Sequence, residues 1–266
     1  MYRNNPFRTS RHGLTLLELV VVMTILIALA GLLVALFPGM LRMAHMSTGA
    51  ANMPELNKIF HMHHQVNRGW PNYLDNLIAG NGSAGNNLYA RLPGYTGQEG
   101  YYLAPHPLSE DEAHALRDAG LTHVFNLTDQ NVSDATFDCY GLEYAAAPPL
   151  SLAVPVEAGV HVARLVDDHD IEKFKGDLDH VYVVFGIGQA TPLVGPRSMV
   201  QDAPVHFGDA PGTRPNEVYS RFAAVFDLGD DGHGPATFVT SVGLERSGIA
   251  VPWMSLRGFD HADHSH

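Results

Sequence analysis

Cysteine is almost absent from this chain: among 266 residues only Cys139 carries a thiol. No disulfide can therefore close within it, and its stability has to come from a core, from association or from a bound metal. Basic residues are also scarce, 16 Lys and Arg against 28 Asp and Glu, for a formal charge of −12. No basic patch stands out, which argues against a nucleic-acid surface. The motifs that announce common active sites are missing too. There is no Gly-x-Ser-x-Gly elbow, no His-Glu-x-x-His helix and no phosphate loop ending in Gly-Lys-Ser/Thr. Gly186-Ile187-Gly188 begins like a dinucleotide turn but lacks the third glycine.

Charge itself is absent between Leu19 and Phe37, and what is present there is almost wholly apolar. Arg3, Arg8 and Arg11 precede this run with no acid among the first 13 residues. About 19 residues at a rise of 1.5 Å cover roughly 28 Å, close to the ~30 Å of a bilayer core, so the run predicts a membrane-spanning helix. The arginines before it predict a cytoplasmic N-terminus and an exported remainder. A plain signal anchor, or a secretory signal cut near Ala28-Leu29-Ala30, would share most of these features. Glu18 fits neither, because a carboxylate at the start of such a span costs roughly 2.5–3.5 kcal/mol and calls for a function.

The segment Gly13-Leu14-Thr15-Leu16-Leu17-Glu18-Leu19-Val20-Val21-Val22 resembles the prepilin signature of type IV pilins and type II secretion pseudopilins. The resemblance covers about 25 residues. It implies cleavage by prepilin peptidase between Gly13 and Leu14, N-methylation of Leu14, and assembly in which Glu18 meets the new amine of a neighbouring subunit. The chemistry agrees with this: an ion pair held in lipid enforces register, and Gly13 lets a protease approach the backbone. Loss of three arginines and no acid takes the formal charge from −12 to −15. The resemblance further implies other pilin or pseudopilin subunits, an inner-membrane assembly platform and the lipid bilayer as partners. It places the chain in the bacterial inner membrane as a single pass, and then in a filament in the periplasm or at the cell surface.

Pro38-Gly39 predicts a kink or local melting, and Pro54 opens a renewed helix to about Asn67 with Leu56, Ile59, Phe60 and His63 on one stripe. The stretch Gly69-Trp70-Pro71-Asn72-Tyr73-Leu74-Asp75-Asn76-Leu77 is similar to the segment after the long helix in major pseudopilins. Gly69 can end the helix there, and Leu74 and Leu77 can fold back on a core. Residues 79–107 read as a long loop, and Ser109-Glu110-Asp111-Glu112 has capping-box spacing for a helix closed by Gly120. Strands are predicted at His123–Leu127, Val160–Val166, Val181–Ile187, Phe222–Leu228 and Thr237–Val242. The last two form a hairpin across Gly229–Pro235.

Three clusters invite chemistry. Asp227, Asp230 and Asp231 in the Gly-rich hairpin loop are candidate calcium ligands, and the major pseudopilins also carry calcium in a C-terminal loop. An acidic turn of this kind is also an ordinary solvated surface turn. His61 and His64, at i, i+3 spacing, could share a transition metal, although a polar helix face explains them as well; the chain also ends in a histidine-rich tail from His261 to His266. Asp167-Asp168-His169-Asp170 reads most simply as a polar turn.

These readings converge on an α+β, pilin-like architecture. A leader (1–13) precedes a transmembrane and filament-core helix (14–37), a kinked extension (38–67) and a β-rich exported head (68–266). The expected function is that of a structural subunit of a type II secretion pseudopilus or related filament, not an enzyme. The alternative is an exported, membrane-anchored enzyme or metal-binding domain that uses the helix only as an anchor.

Overall fold

The computed structural model describes residues 16–78, 92–95, 100–126, 153–195, 198–201, 203–206, 219 and 221–252, with backbone only for 32–50. The cleavage bond Gly13-Leu14, Leu127, Cys139 and the C-terminal histidines lie outside the described residues. One helix, α1 (Leu16–Asn67), runs for 52 residues through both Pro38-Gly39 and Pro54. Local melting at Pro38-Gly39 is therefore not seen. The chain divides within this helix into two compact units, Met1–Ala44 and His45–His266.

The first unit exposes the apolar half of α1. Eleven large side chains from Leu16 to Leu29 have between 48% and 82% of their surface open. Thr24 returns its hydroxyl to the Val20 carbonyl at 2.7 Å, so it leaves no stranded donor.

The second unit is built on a mixed sheet of nine strands. They are β1 (Leu74–Asn76), β2 (Leu103–Pro107), β3 (His123–Asn126), β4 (Ala153–Pro155), β5 (His161–Leu165), β6 (His180–Gly186), β7 (Phe222–Asp230), β8 (Thr237–Glu245) and β9 (Gly248–Ala250). The main path runs β4-β3-β1-β6-β7-β8-β9, and β5 joins β6 while also pairing with β2. Only β1 and β3 pair in parallel; the other named pairs are antiparallel. Two short helices, α2 (Glu110–Asp118) and α3 (Asp168–Lys173), accompany the sheet among the described residues.

Strand alternation sends successive side chains to opposite faces, and here both faces are covered. Val181, Val183 and Phe185 of β6, with Phe222, Ala224 and Phe226 of β7, enter the core that also holds Met53, Leu56 and Phe60 of α1 and Ala113 and Leu116 of α2. Tyr182 and Val184, with Ala223 and Val225, enter a second core that includes Ile171 and Phe174. Burial on both sides explains why these strands read as nearly unbroken apolar runs. The α1 stripe is fastened by stacking of Phe60 on Phe238, ring centroids 4.4 Å apart. Asn57 adds polar ties, accepting from the Ser241 amide at 2.6 Å and donating to the Thr240 hydroxyl at 3.1 Å.

Helix α2 forms as its sequence dictates. Ser109 and Glu112 make the reciprocal capping box. At the other end Gly120, with φ of +106°, allows Gly120 N–H to reach the Arg117 carbonyl and Leu121 N–H to reach that of Leu116.

One expectation is overturned. Among the described residues no helix is long and apolar enough to cross a membrane. The described side chains of the apolar half, Leu16 to Gly31, cover about 24 Å, short of the ~30 Å of a bilayer core, and include Glu18. Farther along, Glu55, Lys58, His61 and His64 make the helix polar. The α+β design centred on a membrane-spanning helix is therefore corrected to a mixed nine-stranded sheet with few helices. The transmembrane character and the single-pass inner-membrane placement built on that span are withdrawn with it.

Candidate functional site

Of the residues singled out in the sequence, Glu18 lies in the first turn of α1, where an acid complements the helix dipole. The calcium candidates do not converge. Asp227 is held by His180, whose Nδ1 lies 2.9 Å from Oδ2, and it also accepts from the Gly229 amide at 2.7 Å. That hydrogen bond to Asp227 raises the pKa of His180 above the usual imidazole range. Asp230 ends β7, and Asp231 turns the chain with φ of +48°. Among the described residues no group of three or more His, Cys, Asp or Glu side chains is placed to hold a metal ion.

His61 and His64 instead flank an indole. His64 stacks on Trp70 with centroids 4.2 Å apart, and His61 meets the same ring edge-on at 5.8 Å. The acidic turn at 167–170 is the start of α3, with Asp167 as its N-cap. Asp170 is buried there, paired with Lys173 and accepting from the Ile249 amide at 3.1 Å, so it ties α3 to the edge strand β9. Burial raises its pKa, opposed by Lys173.

An open groove lies where the end of α1, helix α2 and the β7–β8 loop meet. It encloses about 580 Å³ and is lined by His64, Arg68, Trp70, Asp111, His114, Asp118 and His233 among others. The loop is seated by Gly232, where a Cβ would come within 2.6 Å of the Glu112 carboxylate. Glu112 in turn is held by His106 Nε2 at 2.9 Å and by the Ser109 amide at 2.7 Å. Burial works against the ionised form of Glu112, but those hydrogen bonds win and keep its pKa below the ordinary value. Both carboxylates of the groove are engaged, Asp118 with His114 at 3.0 Å and Asp111 with His233 at 3.2 Å.

No protein-family model, curated protein or solved structure matches this chain. The site has to be read from its own chemistry.

A second polar centre, not anticipated from the sequence, lies inside the sheet. Asp75 of β1 is completely buried and accepts from the Tyr219 hydroxyl at 3.0 Å. Burial raises its pKa to about 6, with the nearby Arg221 charge and the Tyr219 hydrogen bond pulling the other way. Gly186 and Gly188 make room for it, since a Cβ at either would collide with Tyr219 or with the Asp75 carboxylate. Glycine in an otherwise bulky strand run was the available signal. The partner, Tyr219, stands outside every periodic segment and gave none.

Proposed function

We propose that this chain is a pilin-like structural subunit, processed between Gly13 and Leu14 by a prepilin peptidase and assembled with further copies or related subunits through the first half of α1. The observation that carries this reading is the exposed apolar surface from Leu16 to Leu29. A helix apolar on every side is normally buried in its working state. Burying half of these eleven partly exposed side chains releases on the order of 5–10 kcal/mol before the cost of association is subtracted, enough to hold helices together at micromolar concentration. Thr24 does not oppose that burial, because its hydroxyl is satisfied within its own helix. Within the second unit the helix is fastened to the sheet through Met53, Asn57 and Phe60.

Mass spectrometry of the mature protein tests the processing, and sedimentation of wild type and Glu18→Ala tests the assembly. A methylated N-terminus at Leu14, with assembly lost in Glu18→Ala while melting of the second unit is unchanged, is the expected result. An intact Met1, or an unaltered assembly in that variant, removes the proposal.

A further inference from the structure

Strand β9 stands at one end of the sheet path, so among the described residues one row of its main-chain groups has no strand beside it. It pairs with β8 through Gly243↔Ala250, Leu244↔Ile249 and Glu245↔Gly248. The Ile249 amide and carbonyl are both taken by side chains of α3. Asp170 Oδ2 accepts the Ile249 N–H at 3.1 Å, and Lys173 Nζ donates to the Ile249 carbonyl at 3.0 Å. Asp170 and Lys173 also pair with each other, with only 1% and 12% of their side-chain surfaces open. Gly248 permits the approach, because a Cβ there would come within 2.5 Å of the Asp170 carboxylate.

A buried ion pair adds little stability over apolar side chains of similar volume, so one placed against a strand of 3 residues calls for another reason. Edge strands present N–H and C=O groups that recruit further strands, and folded proteins cover them. In an antiparallel ladder, two residues facing each other at a hydrogen-bonded position exchange both amide and carbonyl. Ile249 set opposite the Ile249 of a second copy meets that pattern about a twofold axis, through the same two groups that Asp170 and Lys173 occupy. We infer that the Asp170–Lys173 pair is an edge cap, which keeps β9 from pairing with β9 of a second copy. The carboxylate stands in for the carbonyl of an incoming strand and the ammonium for its N–H. Every group of the cap lies in the second unit, so it is independent of the assembly through α1 proposed above.

The test replaces both charges together in the full-length chain, Asp170→Leu with Lys173→Met, which leaves no unpaired buried charge. Hydrogen exchange at the Ile249 amide, followed over a dilution series, reads the edge itself, so association through α1 does not obscure it. In the wild type this amide should be protected equally at every concentration. In the variant it should exchange roughly tenfold or more faster when dilute, and regain protection when concentrated. Asp170→Ala with Lys173→Ala should behave in the same way, and near-UV circular dichroism shows that the variant being read keeps native packing. Fast exchange at every concentration in a natively packed variant would make the pair a tie within the fold alone. That result, unchanged protection in both variants, or concentration-dependent protection in the wild type overturns the inference.

Discussion

Asp75 shows how one carboxylate can make the stability of this protein depend on pH. Its pKa rises from an unfolded value near 3.8 to about 6, so the folded state holds its proton more tightly. The corresponding stabilisation is complete below the unfolded value and is lost as pH rises through about 6. Two pKa units correspond to about 3 kcal/mol. We expect Asp75→Asn to flatten the dependence of melting temperature on pH between 4 and 6.5, measured in one buffer series; an unchanged slope would show that Asp75 is not its source. Such a group is hard to find in sequence. Leu74 and Leu77 announced a return to the core, but nothing in their spacing said that the aspartate beside them would be buried too, because that depends on Tyr219 lying 144 residues away.

At the scale of elements, what was legible followed local rules. Capping-box spacing at Ser109 and the glycine at 120 located α2, and the apolar runs at 161–165, 180–186, 222–230 and 237–245 became strands close to their predicted bounds. The short strands β1, β2, β4 and β9 have no such runs and exist because neighbours complete their ladders. Helix α3 was taken for a polar turn because its buried contacts, Asp170 to Lys173 and to Ile249, join distant segments. The α1 stripe was read correctly at Leu56 and Phe60, and its energetic weight can be measured. Phe60→Ala removes a fully buried ring stacked on Phe238 and should cost about 3–5 kcal/mol. Denaturant unfolding checks the magnitude. Hydrogen exchange of residues 51–67 should accelerate in parallel, and protection unchanged in that helix would show that the stack does not hold it down.

The whole molecule joins two surfaces of opposite character on one helix. The apolar half was visible in the sequence as a run without charge, but its expected role as a span was not upheld. The candidate sites fared differently again: the calcium and histidine clusters were legible as composition, whereas the groove at Arg68 and Trp70 is made by three elements that meet only in the fold. If the two units divide the labour, a chain beginning at His45 should melt as the full chain does and remain monomeric. Sedimentation and calorimetry of that fragment decide it; self-association of the fragment would move the contact surface into the second unit.

The ties of α1 to the sheet also set a timetable. Phe60 waits for Phe238, and Asn57 for Thr240 and Ser241, partners more than 170 residues later in the chain. At roughly 5–20 residues per second of synthesis, the helix leaves the ribosome about 10–35 s before the strand that covers its stripe. During that interval both halves of α1 show apolar surface, and the stripe at Met53, Leu56 and Phe60 keeps it until β8 arrives. A newly made chain therefore exposes apolar surface over a longer stretch of α1 than the folded protein does.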